Sequence, residues 1–167
     1  ARYQGELSNG LGNLLHRILG LVQTHLHAKV PSIVLAQLPS VDQQLIQVAA
    51  RCAKTASSHF EVMAVNRSLD ITWELVAACN KYVDETAPWT LAKQGDLKRL
   101  GEVSYTVLEA LRWLSVMIWP VMPTKSTALR TQLGLPPVMP IEGADRWPNA
   151  WGGLASHTQL RPGAPLF

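Results

Sequence analysis

The sequence predicts an all-α fold, an antiparallel bundle of about five helices followed by an irregular tail rich in proline and glycine. Apolar residues recur at helical spacing in each long segment before Gly134, and no segment alternates as a strand does. The links between these segments are short, as in antiparallel bundles. After Gly134, prolines and glycines replace the periodic pattern. We therefore expect a bundle over residues 1–134 and an extended tail over residues 135–167.

The composition indicates a globular domain. Of 167 residues, 47% are hydrophobic and 16% are charged, so the chain can form a packed core and is not expected to be disordered. The net charge of +3 is compatible with RNA or an acidic partner and establishes neither. The sequence has no signal-peptide pattern and no apolar run of roughly 20 residues. We expect a cytoplasmic protein without a membrane partner.

The first helix is predicted from Glu6 to about His27. Pro31 and Pro39 then bracket a connector, because proline does not continue a helix. The apolar positions that define the core face of this helix are Leu7, Leu11, Leu14, Leu15, Ile18, Val22 and Leu26.

The second and third helices are predicted from similar stripes and from capping residues. Ser40 is expected to cap a second helix over residues 41–65, since serine accepts hydrogen bonds from the first free amides of a helix. Asn66 or Ser68 is expected to cap a third helix, which ends near Asp84.

The fourth and fifth helices follow a short polar link at residues 93–95. Asp96 begins the long fourth helix, and Pro120 ends or kinks it. Pro123 suits the first turn of a fifth helix, which stops at Gly134.

Most of the six tryptophans are expected to be structural. Trp73, Trp113 and Trp119 fall within helical patterns, where a large indole is most often part of the core. Trp147 and Trp151 lie in the tail, and we expect them to pin it onto the bundle.

No catalytic or metal-binding pattern is present. The chain lacks a glycine-rich phosphate loop and a nucleophile motif, and the five histidines have no metal-ligand spacing. Cys52 and Cys79 form no Cys-x-x-Cys pair and are expected to be small buried residues in a reducing compartment. The sequence itself therefore suggests no catalytic residue, no metal and no cofactor in this chain.

The segment from Tyr82 to Trp89 is the strongest functional candidate. It closes a helical pattern with Pro88, whose ring fixes the backbone, and places Trp89 directly after it. Trp89 is either a core anchor or a flat ring on which a nucleic-acid base stacks. Spacing alone favours the core interpretation. Asp84 and Glu85 by default solvate the helix end.

A second polar group lies beside the core stripe of the first helix. Asn13 and Arg17 are four residues apart and share a face, and Gly10 and Gly20 flank them on nearly the same line. An amide and a guanidinium together can donate to and accept from a base edge. The simpler interpretation is that they form the hydrated side of an amphipathic helix.

These residues carry a resemblance to a known family. Residues 12–17, Gly-Asn-Leu-Leu-His-Arg, resemble a signature in the first helix of the anticodon-binding domain of methionyl-tRNA synthetases. Residues 80–93, which include Tyr-Val-Asp and Pro-Trp, resemble the family's other signature. The stretches 108–112 and 120–123 resemble its next helix and the Pro-x-Met-Pro break, and residues 151–167 resemble its tail. The resemblance covers nearly the whole chain in order.

The resemblance implies a class I synthetase anticodon-binding fold and particular roles for matching residues. Trp89 would stack on the first base of the CAU anticodon, and Asn13 and Arg17 would hydrogen-bond that base and its neighbours. Pro88 would shape the backbone that holds the Trp89 ring. Asp84 would help to position this ring and would disfavour the binding of wrong bases. In that case, the Trp89 indole should be exposed within reach of the Asn13 and Arg17 face.

The resemblance also implies a larger parent enzyme, which ligates methionine to tRNA with ATP. The parent's catalytic signatures and zinc-binding insertion are absent from this chain, so the chain alone should be inactive. The implied partners are the tRNA anticodon loop and the parent's own catalytic domain, toward which the tail should pack. ATP, with zinc as a further candidate, belongs to that missing domain, and no DNA partner is expected.

Two alternatives remain at this point. The chain could be the anticodon-binding domain of another class I synthetase, because cysteinyl, valyl, leucyl and isoleucyl enzymes have similar helices. It could also be a non-catalytic helical interaction module in which Trp89 belongs to the core and Asn13 and Arg17 are surface residues.

Overall fold

The computed structural model describes Gly5 and residues 7–138 and 147–167, and within these residues the fold is all-α. A π-helical segment, Leu7–Gly12, leads into the first α-helix. The helices are α1 (Asn13–His25), α2 (Ser40–Glu61), α3 (Val65–Thr86), α4 (Pro88–Gln94), α5 (Leu97–Ile118) and α6 (Pro123–Gln132). A short 3₁₀ turn, Leu35–Gln37, lies in the connector before α2. The only bridge found in the described residues is an isolated one between Lys29 and Gln159.

The α5 helix occupies the centre of the bundle. Between Leu100 and Ile118, only Arg112 is not buried. Helices α1, α2, α3, α4 and α6 all contact α5. The sequence predicted a long helix here from its spaced apolar residues, and the structure buries that helix on every side from Leu100 onward, apart from Arg112. Its polar side chains must therefore find partners inside the protein.

Two predicted helix caps are wrong. Helix α2 already begins at Ser40, because the extended Pro39 supplies the carbonyl that accepts from the amides of Asp42 and Gln43. Helix α3 begins at Val65 without a side-chain cap, so neither Asn66 nor Ser68 caps it.

The hydroxyl of Ser68 has a different use. It donates to the carbonyl oxygen of Ala56 at 3.0 Å and so ties α3 to α2 inside the protein. A polar residue near a predicted helix start thus serves interhelical packing.

The first predicted helix is only partly regular. Its predicted start, Glu6, lies outside the described residues, and residues 7–12 form the π-helical segment before α1 begins. Gly10 lies against α3, where a Cβ atom would come within 3.1 Å of Cγ1 of Val76. The Asn80 side-chain amide donates to the carbonyl of Gly10 at 3.2 Å, which fixes the same contact. Of the two glycines that flank Asn13 and Arg17 in the sequence, Gly10 is therefore packed against α3, whereas a Cβ atom at Gly20 would have no neighbour within 4 Å.

The break after α3 holds a helix that the sequence did not predict. Ala87 adopts a left-handed conformation, with φ of 45°, and Pro88 then starts α4. Proline fits the first helical position, since the amide it lacks would have no partner in the helix. The predicted polar link at residues 93–95 is reduced to the end of α4, where Gly95 has φ of 73°.

The later boundaries are as predicted. Asp96 caps α5 by accepting from the amide of Arg99 at 3.1 Å, and α5 ends before Pro120. Pro123 starts α6, and Gly134 follows that helix with φ of 74°. A Cβ atom at Gly134 would collide with the backbone oxygen of Gln159, so glycine is required there on two counts.

The three tryptophans that were predicted to be core residues differ in their burial. Trp113 is fully buried, and Trp73 is half-buried against the core. Trp119, half-buried at the end of α5, is not part of the core cluster, so its prediction is wrong. Because it follows the last helical residue, Trp119 lies at the rim of the bundle. Cys52 and Cys79 are both buried and unpaired.

The tail is held on α5 through a buried carboxylate. Glu109 is fully buried, and it accepts hydrogen bonds from Arg112 and from the backbone amides of Gly152 and Leu154. The hydroxyl of Tyr105, one turn earlier, donates to the carbonyl of Leu154 at 2.8 Å. The tail thus supplies the partners that a charged group in the middle of a buried helix requires.

Further contacts carry the tail around the bundle. Trp147 donates from Nε1 to the carbonyl of Ala53 at 2.7 Å, and Trp151 packs on Trp113 with ring centroids 5.4 Å apart. Residues 157–160 then form backbone hydrogen bonds with residues 28–30. Pro140, which the sequence assigned to the tail, lies outside the described residues.

Within the described ranges, no helix is long and apolar enough to cross a membrane. No group of three or more histidine, cysteine or acidic side chains there could hold a metal ion.

Several buried groups are neutral at ordinary pH. Burial raises the pKa of Tyr82, and the Asp42 carboxylate beside its hydroxyl raises it further. Burial and the charge of Glu109 raise the pKa of Tyr105 to about 12. Burial raises the pKa of the Cys79 thiol to about 12.

We expect the free energy of unfolding to fall as pH rises above the ordinary values of 9.0 for cysteine and 10.0 for tyrosine. A pKa raised by folding contributes stability that is complete below the unfolded pKa and is lost as pH rises through the folded one. Urea unfolding followed by circular dichroism from pH 7 to pH 11 measures this loss. Tyr82→Phe should lower stability at pH 7 and flatten the decline above pH 10, and an unchanged slope would contradict the assignment.

Candidate nucleic-acid interface

Trp89 is presented to solvent by the first turn of α4. The residue is 41% exposed, which is unusual for a tryptophan in a helical bundle. Pro88, at the first position of this helix, is buried and fixes the backbone from which Trp89 projects. The structure therefore places Trp89 on a helix end, where the sequence predicted a turn, and leaves a substantial part of its ring open.

Arg17 lies over the ring of Trp89. The guanidinium carbon of Arg17 is 5.2 Å from the ring centroid, within the range of a cation–π contact. Nη2 of Arg17 also donates to Oδ1 of Asp84 at 3.2 Å. Three helices, α1, α3 and α4, thus bring together a flat ring, a guanidinium and a carboxylate, which we call the Trp89 site.

The ion pair in the Trp89 site is accessible to a ligand. The Arg17 side chain is 37% exposed and that of Asp84 is 69% exposed. Because both groups are hydrated, they can exchange partners at low cost. Neighbouring Glu85 pairs with Lys81 one turn earlier, at 3.7 Å, in keeping with the expected solvation of the helix end.

Asn13 lies at the edge of a different cleft. It is exposed one turn before Arg17 on α1, and with His16 it faces the end of the tail across a cleft of about 180 Å³. The other lining residues are Gly12, Leu15, Gln132 and residues 163–167. Asn13 and Arg17 therefore share one helix as predicted, but they border separate clefts. His16, to which the sequence assigned no role, lines the cleft of Asn13.

A larger groove of about 740 Å³ begins at Arg17 and Asp84 and follows α3 toward its start. Its remaining lining residues are Asn9, Gly10, Asp70, Trp73, Glu74, Val76, Ala77 and Asn80. Sequence reasoning missed the groove, although the helical spacing of Asp70, Asp84 and Ala77 places them on one face of α3.

Negative charges predominate in the lining of the groove. Asp70, Glu74 and Asp84 line it with carboxylates, and Arg17 is the cation at its end. Glu74 pairs across the surface with Arg51 at 3.5 Å. A negatively charged wall repels phosphate groups but accepts hydrogen bonds from the amino groups of bases.

Comparison with known proteins relates the chain to one family. A family model described as the anticodon binding domain of methionyl tRNA ligase matches residues 35–165. A methionine–tRNA ligase of Synechocystis is 33% identical over 169 residues, a match that covers 97% of this chain and 32% of that protein. The ligase of Streptococcus pneumoniae is 35% identical over 167 residues, covering 99% of this chain and 24% of its own length.

Solved structures agree in fold. The methionyl-tRNA synthetase of Mycobacterium tuberculosis bound by methionyl-adenylate superposes with a TM-score of 0.86 at 27% identity, covering 99% of this chain and 32% of that chain. Its free form gives a TM-score of 0.87 at 27% identity. The chain thus spans about a quarter to a third of the length of these proteins.

We expect Arg17→Ala and Asp84→Ala to change the free energy of unfolding by less than about 1 kcal/mol, since exposed ion pairs contribute little to stability. Denaturant titration of each variant against the parent chain measures the change. Arg51→Ala, which breaks another exposed pair, serves as the matched control. A loss of several kcal/mol in either variant would show that the pair holds the fold together.

Proposed function

Because the chain belongs to the family of anticodon-binding domains of methionyl-tRNA ligases, we propose that its Trp89 site reads the CAU anticodon of methionine tRNA. The observation that carries the proposal is that Arg17, which is paired with Asp84, lies over the exposed ring of Trp89. Base stacking on an aromatic ring with hydrogen bonding to the base edge is the usual way in which proteins read unpaired RNA.

The polar groups of the Trp89 site suit cytosine, the first base of the anticodon. Cytosine has an amino donor on its N4 and acceptors at N3 and O2. The Asp84 carboxylate can accept from the amino group, and the Arg17 guanidinium can donate to the acceptors. Uracil has an oxygen in place of that amino group, so the carboxylate would face another acceptor. The unpaired polar groups would then disfavour uracil.

We assign Asn13 to a base next to the stacked cytosine. It lies one turn from Arg17 on α1 and borders the cleft between α1 and the tail, so a strand leaving Trp89 can pass along this helix face. Its amide can both donate and accept, which suits base-edge recognition. Pro88 acts indirectly, by fixing the start of α4 beneath Trp89.

The ligation reaction belongs to the part of the parent enzyme outside this chain. In this proposal the parent joins methionine to tRNA in the cytoplasm, and its catalytic domain holds ATP, with zinc as a further candidate. The catalytic domain is also a partner of this domain, toward which the tail extends. The family match favours this function over that of another class I synthetase and over a helical interaction module.

Loss of the ring should weaken tRNA recognition in the complete parent enzyme. We expect Trp89→Ala to raise KM for CAU tRNA by about 5- to 150-fold, equivalent to the roughly 1–3 kcal/mol of a base–aromatic stack. Aminoacylation kinetics with CAU tRNA and with its UAU variant measure both KM and the preference for cytosine. That preference should also fall.

Two controls make the experiment specific. Met63→Ala removes an apolar side chain that is 83% exposed between α2 and α3, and it should leave KM unchanged. Arg17→Ala should reduce the preference for cytosine, whereas Arg67→Ala, which removes an exposed arginine of α3, should not. If Trp89→Ala retained both the KM and the base preference of the parent, the proposed site would be wrong.

A further inference from the structure

A largely buried ionic cluster joins three helices. Two of its three residues flank Trp89 in the sequence. The side chain of Asp42 is fully buried, and its two oxygens accept from Arg99 at 2.7 and 2.8 Å. The hydroxyl of Tyr82 also donates to Oδ1 of Asp42, at 2.8 Å. We call Asp42, Tyr82 and Arg99 the Asp42 cluster. It links the first turn of α2, the last turns of α3 and the first turn of α5.

The Asp42 cluster fixes both ends of the segment that carries Trp89. Tyr82 precedes Trp89 by seven residues, and Arg99 follows it by ten. Between these two anchors the chain bends twice, at Ala87 with φ of 45° and at Gly95 with φ of 73°. Helix α4, only seven residues long, lies between the two bends. A short helix has little stability of its own, so its anchors determine where it lies.

The position of α4 sets the geometry of the Trp89 site. Trp89 projects from α4, whereas Arg17 and Asp84 project from α1 and α3. A shift of α4 would change the separation between the ring and the two groups that read the base edge. Misplacement of about 1 Å can markedly weaken a site that depends on orientation.

The geometry of the cluster provides orientation as well as stability. A buried ion pair is often no more stabilising than apolar residues of similar size, because both charges lose their hydration. Its directional hydrogen bonds do fix three helix ends relative to one another. Arg99 also bonds to Glu102 at 3.3 Å, which further restricts its orientation.

We propose that Asp42 is a positioning residue for anticodon reading, acting through Tyr82 and Arg99 on the placement of Trp89. This inference rests on the proposed function of the Trp89 site. It assigns a role in base discrimination to a side chain that is inaccessible to RNA.

The test uses the complete parent enzyme with Tyr82→Phe and Asp42→Asn. We expect both variants to raise KM for CAU tRNA several-fold and to narrow the preference for CAU over UAU tRNA, with kcat at saturating CAU tRNA retained. Tyr82→Phe keeps the aromatic ring and removes the hydrogen bond to Asp42. This variant therefore still tests the proposal if Asp42→Asn does not fold. Leu133→Ala, a buried change at the end of α6, is the control for lost stability.

A double-variant cycle separates positioning from a structural role. If the Asp42 cluster acts through Trp89, Tyr82→Phe should have no further effect on base preference in an enzyme that already carries Trp89→Ala. A purely structural role would instead give independent, additive effects. Additive effects, an unchanged base preference in the single variants, or an equal change in Leu133→Ala would each overturn the proposal.

The same experiment distinguishes this inference from the proposed function. If Trp89→Ala itself leaves base preference intact, the proposed function fails, and the positioning role fails with it. If Trp89→Ala abolishes the preference while the Tyr82 and Asp42 variants keep it, the Trp89 site stands and only the positioning role is wrong.

Discussion

The burial of α5 on every side is the constraint on which the rest of the structure depends. A helix in this position exposes no face on which charged groups can remain hydrated, so each such group must be neutralised inside the bundle. Glu109 meets this requirement through Arg112 and two amides of the tail. Arg99, which is half-buried in the first turn of α5, pairs with Asp42, whose side chain is fully buried. The tail is therefore fixed by the electrostatic needs of the central helix, and the start of α2 is tied to that helix by the needs of its own buried carboxylate.

Apolar periodicity predicted the α-class and most helix boundaries, because long amphipathic stripes are robust signals. It failed where polar residues face inward. Ser68 was predicted to cap α3 but bonds to α2, and Glu109 was not singled out although it lies in the centre of α5. A periodic pattern assigns polar side chains to water, and only the packed structure reveals a buried partner. Trp119 shows the opposite error, since a large apolar residue at a helix end lies at the rim.

The candidate site was harder to predict than the fold. Arg17 and Asp84 are 67 residues apart, and no local spacing indicates that they meet. The resemblance to a known family supplied the set of residues, but only the structure shows that Asn13 borders a cleft beside the tail whereas Arg17 borders the groove along α3. The Asp42 cluster could not be predicted at all, because its three members come from different helices and the pairing is purely tertiary. The roles of the site residues in RNA recognition stay predictions.

The contact between Arg17 and Trp89 also bears on the solubility of the domain. An exposed indole on a surface invites association with other apolar surfaces. Here the guanidinium of Arg17 lies over the ring of Trp89 and remains partly exposed to water. The carboxylate of Asp84 pairs with this guanidinium. Two molecules that approach ring to ring would first have to displace this ion pair or bury it away from water, and either change costs free energy. The ion pair between Arg17 and Asp84 thus opposes self-association through the exposed part of the Trp89 ring.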